Sequence, residues 1–282
     1  MLPSTPFAKA EVLDLGIRNR EWRSLVSEDL VREVYPGCFV DASLPDTVQL
    51  RLAIASRILS PELVAARRTA AWLHGLDLLD YRGFPRTPPL EVVTHRQELR
   101  SKSSLLTTHV ADDLLPADVM TVGDLQVTTP MRTAADLARF APRPDALVAA
   151  DALLNKELVV PEACLKSLVR WRRRYGVRQA YEIADLADGR SESGGESRLR
   201  LRVIDMGLPR PELQLPVYDL FGECRFRLDV GWKNWMLALE HDGEKFHGPE
   251  QQEHIFPTSQ AFEREMDRLV GVARGRLGTL GA

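Results

Sequence analysis

The sequence predicts a mixed α+β / α/β protein, with small sheets flanked by helices in three consecutive segments. Three observations carry this prediction. Two short amphipathic runs at the N-terminus precede apolar runs around Pro36-Gly37, the pattern of two helices and a hairpin. Through residues 46–188, stretches with helical spacing alternate with short β-branched runs. After the small, polar GRSESGG at 189–195, the pattern restarts as one helix and three strands. A chain of 282 residues is long enough for two or three folding units, and the changes of pattern divide it into 1–45, 46–188 and 189–282.

Residues 8–15 read as a helix with Gly16 as its C-cap, and 19–27 as a second helix with Trp22, Leu25 and Val26 at helical spacing. Residues 30–40 read as two short strands, which completes the outline of a winged helix-turn-helix. Helices follow at 46–58 and 61–74, the second with Ser60 as N-cap and Pro61 at its first position. Strands are expected at 90–94, 105–110 and 125–128. The helix at 128–140 has Thr129 as N-cap, Pro130 at its first position, and an apolar face of Ala134, Ala135, Leu137 and Ala138. Helices at 144–155 and 161–186 follow. Beyond 195 come a helix at 195–207 ended by Gly207, strands at 213–218, 224–231 and 235–240, and a helix near 258–271. Trp72, Leu73 and Leu76 read as core. Arg132 and Asp136, four apart, read as a helix-surface ion pair worth ~0.3–0.5 kcal/mol.

Composition excludes several classes. With 44% hydrophobic residues the chain can bury real cores without a metal or disulfide staple. Cys38, Cys164 and Cys224 are odd in number and form no CxxC, which argues against a zinc site or disulfide framework. Residues 1–9 contain no long apolar run, and no stretch approaches the ~20 apolar residues of a membrane span, so a cytoplasmic protein is expected. A net charge of −3 means that any nucleic-acid binding must be local. One local patch exists: Lys166, Arg170, Arg172, Arg173, Arg174 and Arg178 lie in a stretch, 163–181, with no acidic residue. It is either a solvated helix face or a phosphate-contacting surface.

The carboxylates of the last segment form the other constellation. Asp229 lies near the end of one expected strand, Glu240 at the end of the next, and Asp242 two residues on. In extended backbone, residues 240 and 242 share a face. Converging carboxylates resist ionising together unless a cation neutralises them. A hard ion such as Mg2+ or Mn2+ takes such oxygen ligands, activates water and stabilises a phosphate leaving group. Glu196, in the first turn of the preceding helix, can approach the cluster, and His241 and His247 flank it. The competing reading is that acidic strand ends simply face solvent.

Residues 196–248 resemble the bacterial domain related to very-short-patch-repair endonucleases, a branch of the PD-(D/E)XK superfamily with a restriction-endonuclease-like mixed sheet. The resemblance is carried by Glu196-Ser197-Arg198, Gly207-Leu208-Pro209, Gln214, Arg227, Asp229, Glu240, Asp242-Gly243 and His247. It implies that Asp229 and Glu240 are metal ligands and that Asp242 stands where the wider superfamily has its catalytic lysine. It also implies that Glu196 is an accessory acid and that His247 is a proton donor or phosphate contact. The N-terminal half resembles the AbiEi antitoxin type, whose winged helix binds DNA. Here the carrying segments are LVREVYPGCFV (30–40), ARRTAAWLHGLDLL (66–79) and VTTPMRTAADLARF (127–140).

After His254 the nuclease pattern is lost: no Gly-Trp turn appears, and GVARGRLGTLGA has little strand character. A last helix and strand that are altered or lost are therefore expected. Two functions follow. One is a metal-dependent DNA endonuclease with a DNA-binding front end. The alternative is a non-catalytic DNA-binding transcriptional regulator of the type IV toxin-antitoxin kind, with a cognate toxin gene product as possible partner. A structural interaction module is a third reading. From residue 191 to the end there are 15 acidic against 12 basic residues, so a metal or the 163–181 stretch must help to hold DNA.

Overall fold

The computed structural model describes residues 2–78, 88–95, 103–218, 221–235 and 237–241. It falls into two compact units, Met1–Gly189 and Arg190–Ala282. Its class is the mixed α+β expected.

The first unit opens with α1 (Lys9–Asp14) and α2 (Asn19–Ser27). Each start is capped from within the helix, since the amides of Ala8 and Arg18 donate to Glu11 and Glu21 at 2.9 and 2.7 Å. An antiparallel hairpin follows, β1 (Val31–Tyr35) with β2 (Cys38–Asp41), turning through Gly37 at φ +78°. Phe7 pairs its backbone with Phe39 on the hairpin. Trp22 of α2 stands edge-on to both rings, at 6.5 and 5.0 Å. This aromatic triangle fixes α2 on the hairpin.

Next come α3 (Val48–Ile58), capped by Thr47, then β3 (Val64–Ala65) and α4 (Arg67–Leu73). The expected helix over 61–74 is thus corrected: it starts at Arg67, and neither Ser60 nor Pro61 opens it. Val64 and Ala65 are instead the middle strand of a five-stranded sheet, where two neighbours bond their backbone, and this tertiary pairing overrides local helix propensity. The other strands are β4 (Leu90–Thr94), β5 (Leu106–Val110), β6 (Val119–Val122) and β7 (Leu125–Thr128). The order is β5-β4-β3-β7-β6, with β3 parallel to β7, β4 parallel to β5 and the remaining pairs antiparallel. β6 was not expected from the sequence; it pairs with β7 around Gly123-Asp124.

α5 (Pro130–Phe140) begins as predicted, with the Thr129 hydroxyl accepting from the Arg132 amide at 3.3 Å. α6 (Arg143–Asn155), α7 (Pro161–Leu168) and α8 (Val177–Leu186) pack with it. The single helix expected over 161–186 is corrected: it breaks after Leu168 into a 3-10 turn and a loop. The break follows Trp171, which is drawn into the interior (2% exposed). Arg132 and Asp136 are also corrected. Both are 3% exposed and belong to a buried network, not to the helix surface.

In the second unit, α9 (Gly194–Asp205) is capped by the Ser193 hydroxyl, which accepts from the Glu196 amide at 3.2 Å. Gly194 and Gly195 therefore belong to the helix. Three antiparallel strands follow, β8 (Glu212–Tyr218), β9 (Cys224–Trp232) and β10 (Leu237–Leu239), in the order β10-β9-β8. Leu199 and Val203 of α9 close a core with Leu208, Leu213, Val230 and Trp232. The third strand is shorter than the 235–240 expected, because Lys233–Trp235 forms a 3-10 turn that stacks Trp235 on Trp232 at 5.5 Å. The helix expected near 258–271 lies outside the described residues.

Candidate nucleic-acid surfaces and acidic cluster

Three places carry candidate chemistry. The first is α2. With Trp22 turned inward, Arg20 and Arg23 stand away from it and are exposed, and Asn19 is exposed at the helix's first residue. Among the described residues neither Arg20 nor Arg23 forms an ion pair. Sequence reasoning placed the helix but did not single out these two arginines. Their three-residue spacing opposite a tryptophan was the available signal.

The second place is the basic stretch. The structure divides its members. Arg170 is committed inward, to Asp118 at 2.8 Å and to the carbonyl of Asp113. Arg174 faces Asp112 at 3.6 Å. Lys166, Arg172, Arg173 and Arg178 are exposed and make no ion pair among the described residues. The break at Trp171 thus spreads the six residues over α7, the turn after it and α8, with Arg170 engaged by Asp118 and the other five exposed.

Arg170 thereby joins a network around Arg132. Its guanidinium reaches Asp113, Asp118 and Asp136 at 3.0, 3.0 and 2.9 Å, and the Trp171 indole donates to Asp113 at 2.5 Å. Burial alone would raise the Asp113 carboxyl, but the Trp171 hydrogen bond and the charge of Arg132 hold it below the ordinary range. Asp136 is displaced the other way. Burial dominates and raises it against the pull of Arg132, and its Oδ1 has no hydrogen-bond partner. Nearby, at the β3–α4 junction, Glu91 is clamped by Arg68 at 3.0 Å and His109 at 3.2 Å. Burial would raise this carboxyl too, yet the His109 hydrogen bond and Arg68 bring it to about 2.

The third place is the acidic cluster of the second unit. Glu196 is buried at the start of α9, where Oε2 accepts from Gln214 Nε2 at 3.0 Å and from the Glu192 amide at 2.9 Å. Gln214 interrupts β8 at φ +50°. Asp229, half-buried on β9, accepts from the His241 amide at 2.9 Å. The His241 ring lies against Gly195, where any side chain would collide with it. Arg227 pairs with Glu192 at 3.0 Å, and Glu240 is exposed just beyond β10. Asp242 and His247 lie outside the described residues. Among the described residues, no group of three or more His, Cys, Asp or Glu side chains is gathered closely enough to hold a metal ion. No described helix is long and apolar enough to cross a membrane.

Residues 63–186 match the family described as the AbiEi antitoxin C-terminal domain. Two uncharacterized proteins of Mycobacterium tuberculosis, from strains CDC 1551 / Oshkosh and H37Rv, are each 33% identical to the chain over 221 residues, covering 78% of it and 76% of the relative.

Proposed function

The chain belongs to the family of these two mycobacterial proteins and carries at residues 63–186 the AbiEi antitoxin C-terminal domain, and from this membership we propose that it is a DNA-binding regulator of the antitoxin kind. The observation that carries the reading is α2. This is a nine-residue helix with one face locked by Trp22 and another offering Arg20 and Arg23, with Asn19 exposed at its start, followed at once by a hairpin. An α-helix fits the major groove, where arginine and asparagine read base edges and hold phosphates. The net charge of −3 makes such a local surface necessary. A cognate toxin is the expected regulated product.

The test is a mobility-shift titration against the DNA upstream of the protein's own gene, with an Arg20→Ala/Arg23→Ala variant. Removing two phosphate contacts should weaken binding and flatten the salt slope by about 1.8. Absence of binding by the wild-type chain, or an unchanged slope in the variant, rejects the reading.

One observation favours a second reading, a DNA endonuclease. Gln214 of β8 orients the Glu196 carboxylate of α9, and the His241 amide orients the Asp229 carboxylate of β9, with the His241 ring against Gly195. Asp229 and Glu240 would hold a divalent ion, which would supply an activated water for phosphodiester hydrolysis. Nicking of supercoiled plasmid that requires Mg2+ or Mn2+, stops with EDTA and vanishes in Asp229→Ala/Glu240→Ala would support it. Intact plasmid under all conditions removes it.

A further inference from the structure

The turn at residues 172–176 shows a large aromatic ring and two arginines to solvent, although its two ends are pinned. Tyr175 is 84% exposed, and Arg172 and Arg173 are exposed beside it. On one side Trp171 is buried and bonded to Asp113. On the other, Gly176 sits against the Arg139 carbonyl so closely that a Cβ has no room. Arg139 Nε donates to the Tyr175 carbonyl at 3.2 Å, and Gln179 donates to the carbonyls of Ala138 and Ala141, both at 2.9 Å. The turn is therefore a held display. Its aromatic ring is not there to fill the core.

Beneath Tyr175 lies Phe140, nearly parallel at 16° and 6.2 Å between centroids. The same Phe140 carries the guanidinium of Arg67 at 4.3 Å. Arg67 is half-buried at the β3–α4 junction and forms no ion pair among the described residues. Its φ is +49°, and that of Arg173 is +70°. Two of the five described non-glycine residues in the left-handed region are thus arginines of this cluster. Such strain persists where the surrounding structure enforces it, and it gathers at functional positions.

We propose that this cluster is a single-stranded DNA site, in which Tyr175 stacks on an unpaired base while Arg67, Arg172 and Arg173 hold the neighbouring phosphates. A duplex offers base edges in its grooves and hides base faces. An exposed ring backed by a second ring offers a face, which suits an unstacked base, and the arginines supply the charge that tracks a backbone. The site rests on the DNA-binding reading but uses a surface separate from α2.

The experiment measures binding of the full chain to fluorescein-labelled oligothymidylate by anisotropy, beside duplex DNA from the upstream region and an oligouridylate. Tyr175→Ala should weaken oligothymidylate binding about 5- to 150-fold, and Tyr175→Phe should restore it. Arg172→Gln/Arg173→Gln should flatten the salt slope by about 1.4. Duplex binding should be kept by Tyr175→Ala and weakened by Arg20→Ala/Arg23→Ala, which in turn should keep the single strand. The proposal is overturned by unchanged oligothymidylate binding in Tyr175→Ala, or by loss of the single strand in the α2 variant. Tighter binding of oligouridylate than of oligothymidylate overturns the DNA assignment. Failure of the single strand to bind while the duplex binds rejects this site and leaves the regulator reading intact.

Discussion

Arg132 illustrates how far a residue's energetic role depends on burial. Its spacing to Asp136 is that of a surface pair worth a few tenths of a kcal/mol. In the fold it is 3% exposed and serves three carboxylates at once. Arg132→Met takes the shortest ion pair from Asp113 and Asp136, leaving them only Arg139 at 3.9 and 3.8 Å, and the expected loss is about 3–5 kcal/mol by urea unfolding. A loss under about 1 kcal/mol would return the pair to the surface reading. Glu91 makes a pH-dependent contribution. Its carboxyl is held at about 2, below its ordinary value of 4.5, so it stabilises the fold above the ordinary value, and this stability is lost as pH falls toward 2. The shift corresponds to about 3 kcal/mol at neutral pH. Glu91→Gln should lower stability at neutral pH and shrink the difference from wild type in acid; a difference constant with pH would show that the clamp does not operate.

At the scale of elements, the break between α7 and α8 decides which basic side chains face out. The break depends on Gly176, whose φ is +78° and whose Cα abuts the Arg139 carbonyl. Gly37 has the same φ of +78° but open space around it. Gly37→Ala should therefore cost only the backbone term, about 1 kcal/mol, and Gly176→Ala distinctly more. Equal losses in thermal melts would mean that the close approach does not matter. The helix at 161–186 was legible as helical residues, but its interruption was not, because it arises from Trp171 finding Asp113 fifty-eight residues away. β3 was hidden for the same reason. Two residues embedded in a helix-favouring run carry no strand pattern, and only pairing with β4 and β7 makes them one. α5, by contrast, was legible from Thr129-Pro130 to its apolar face, since caps and periodicity are local.

At the scale of the molecule, each unit closes its own core. Leu213→Ala, in the core of the second unit, should destabilise that unit by about 2–5 kcal/mol. Amide exchange should accelerate across β8, β9 and α9 and stay unchanged across β3, β4 and β7. Acceleration in both groups would show that the units unfold together. The acidic cluster was partly legible: the sequence order placed Glu196 and Asp229 on elements that meet, but did not reveal that Gln214 and His241 orient them. Taken alone, the sequence determined the mixed α+β class, most helix and strand positions, and the helix–helix–hairpin start. It also determined the antitoxin-like middle region that the family match bears out. These are properties of local spacing, capping and turn chemistry. The tertiary structure decided that Arg132 is interior, that β3 is a strand, and that Arg170 is engaged by Asp118 while Arg172, Arg173, Arg174 and Tyr175 face solvent. Those outcomes depend on burial and on partners distant in the chain, and a charged side chain's spacing is the same whether it meets water or a carboxylate.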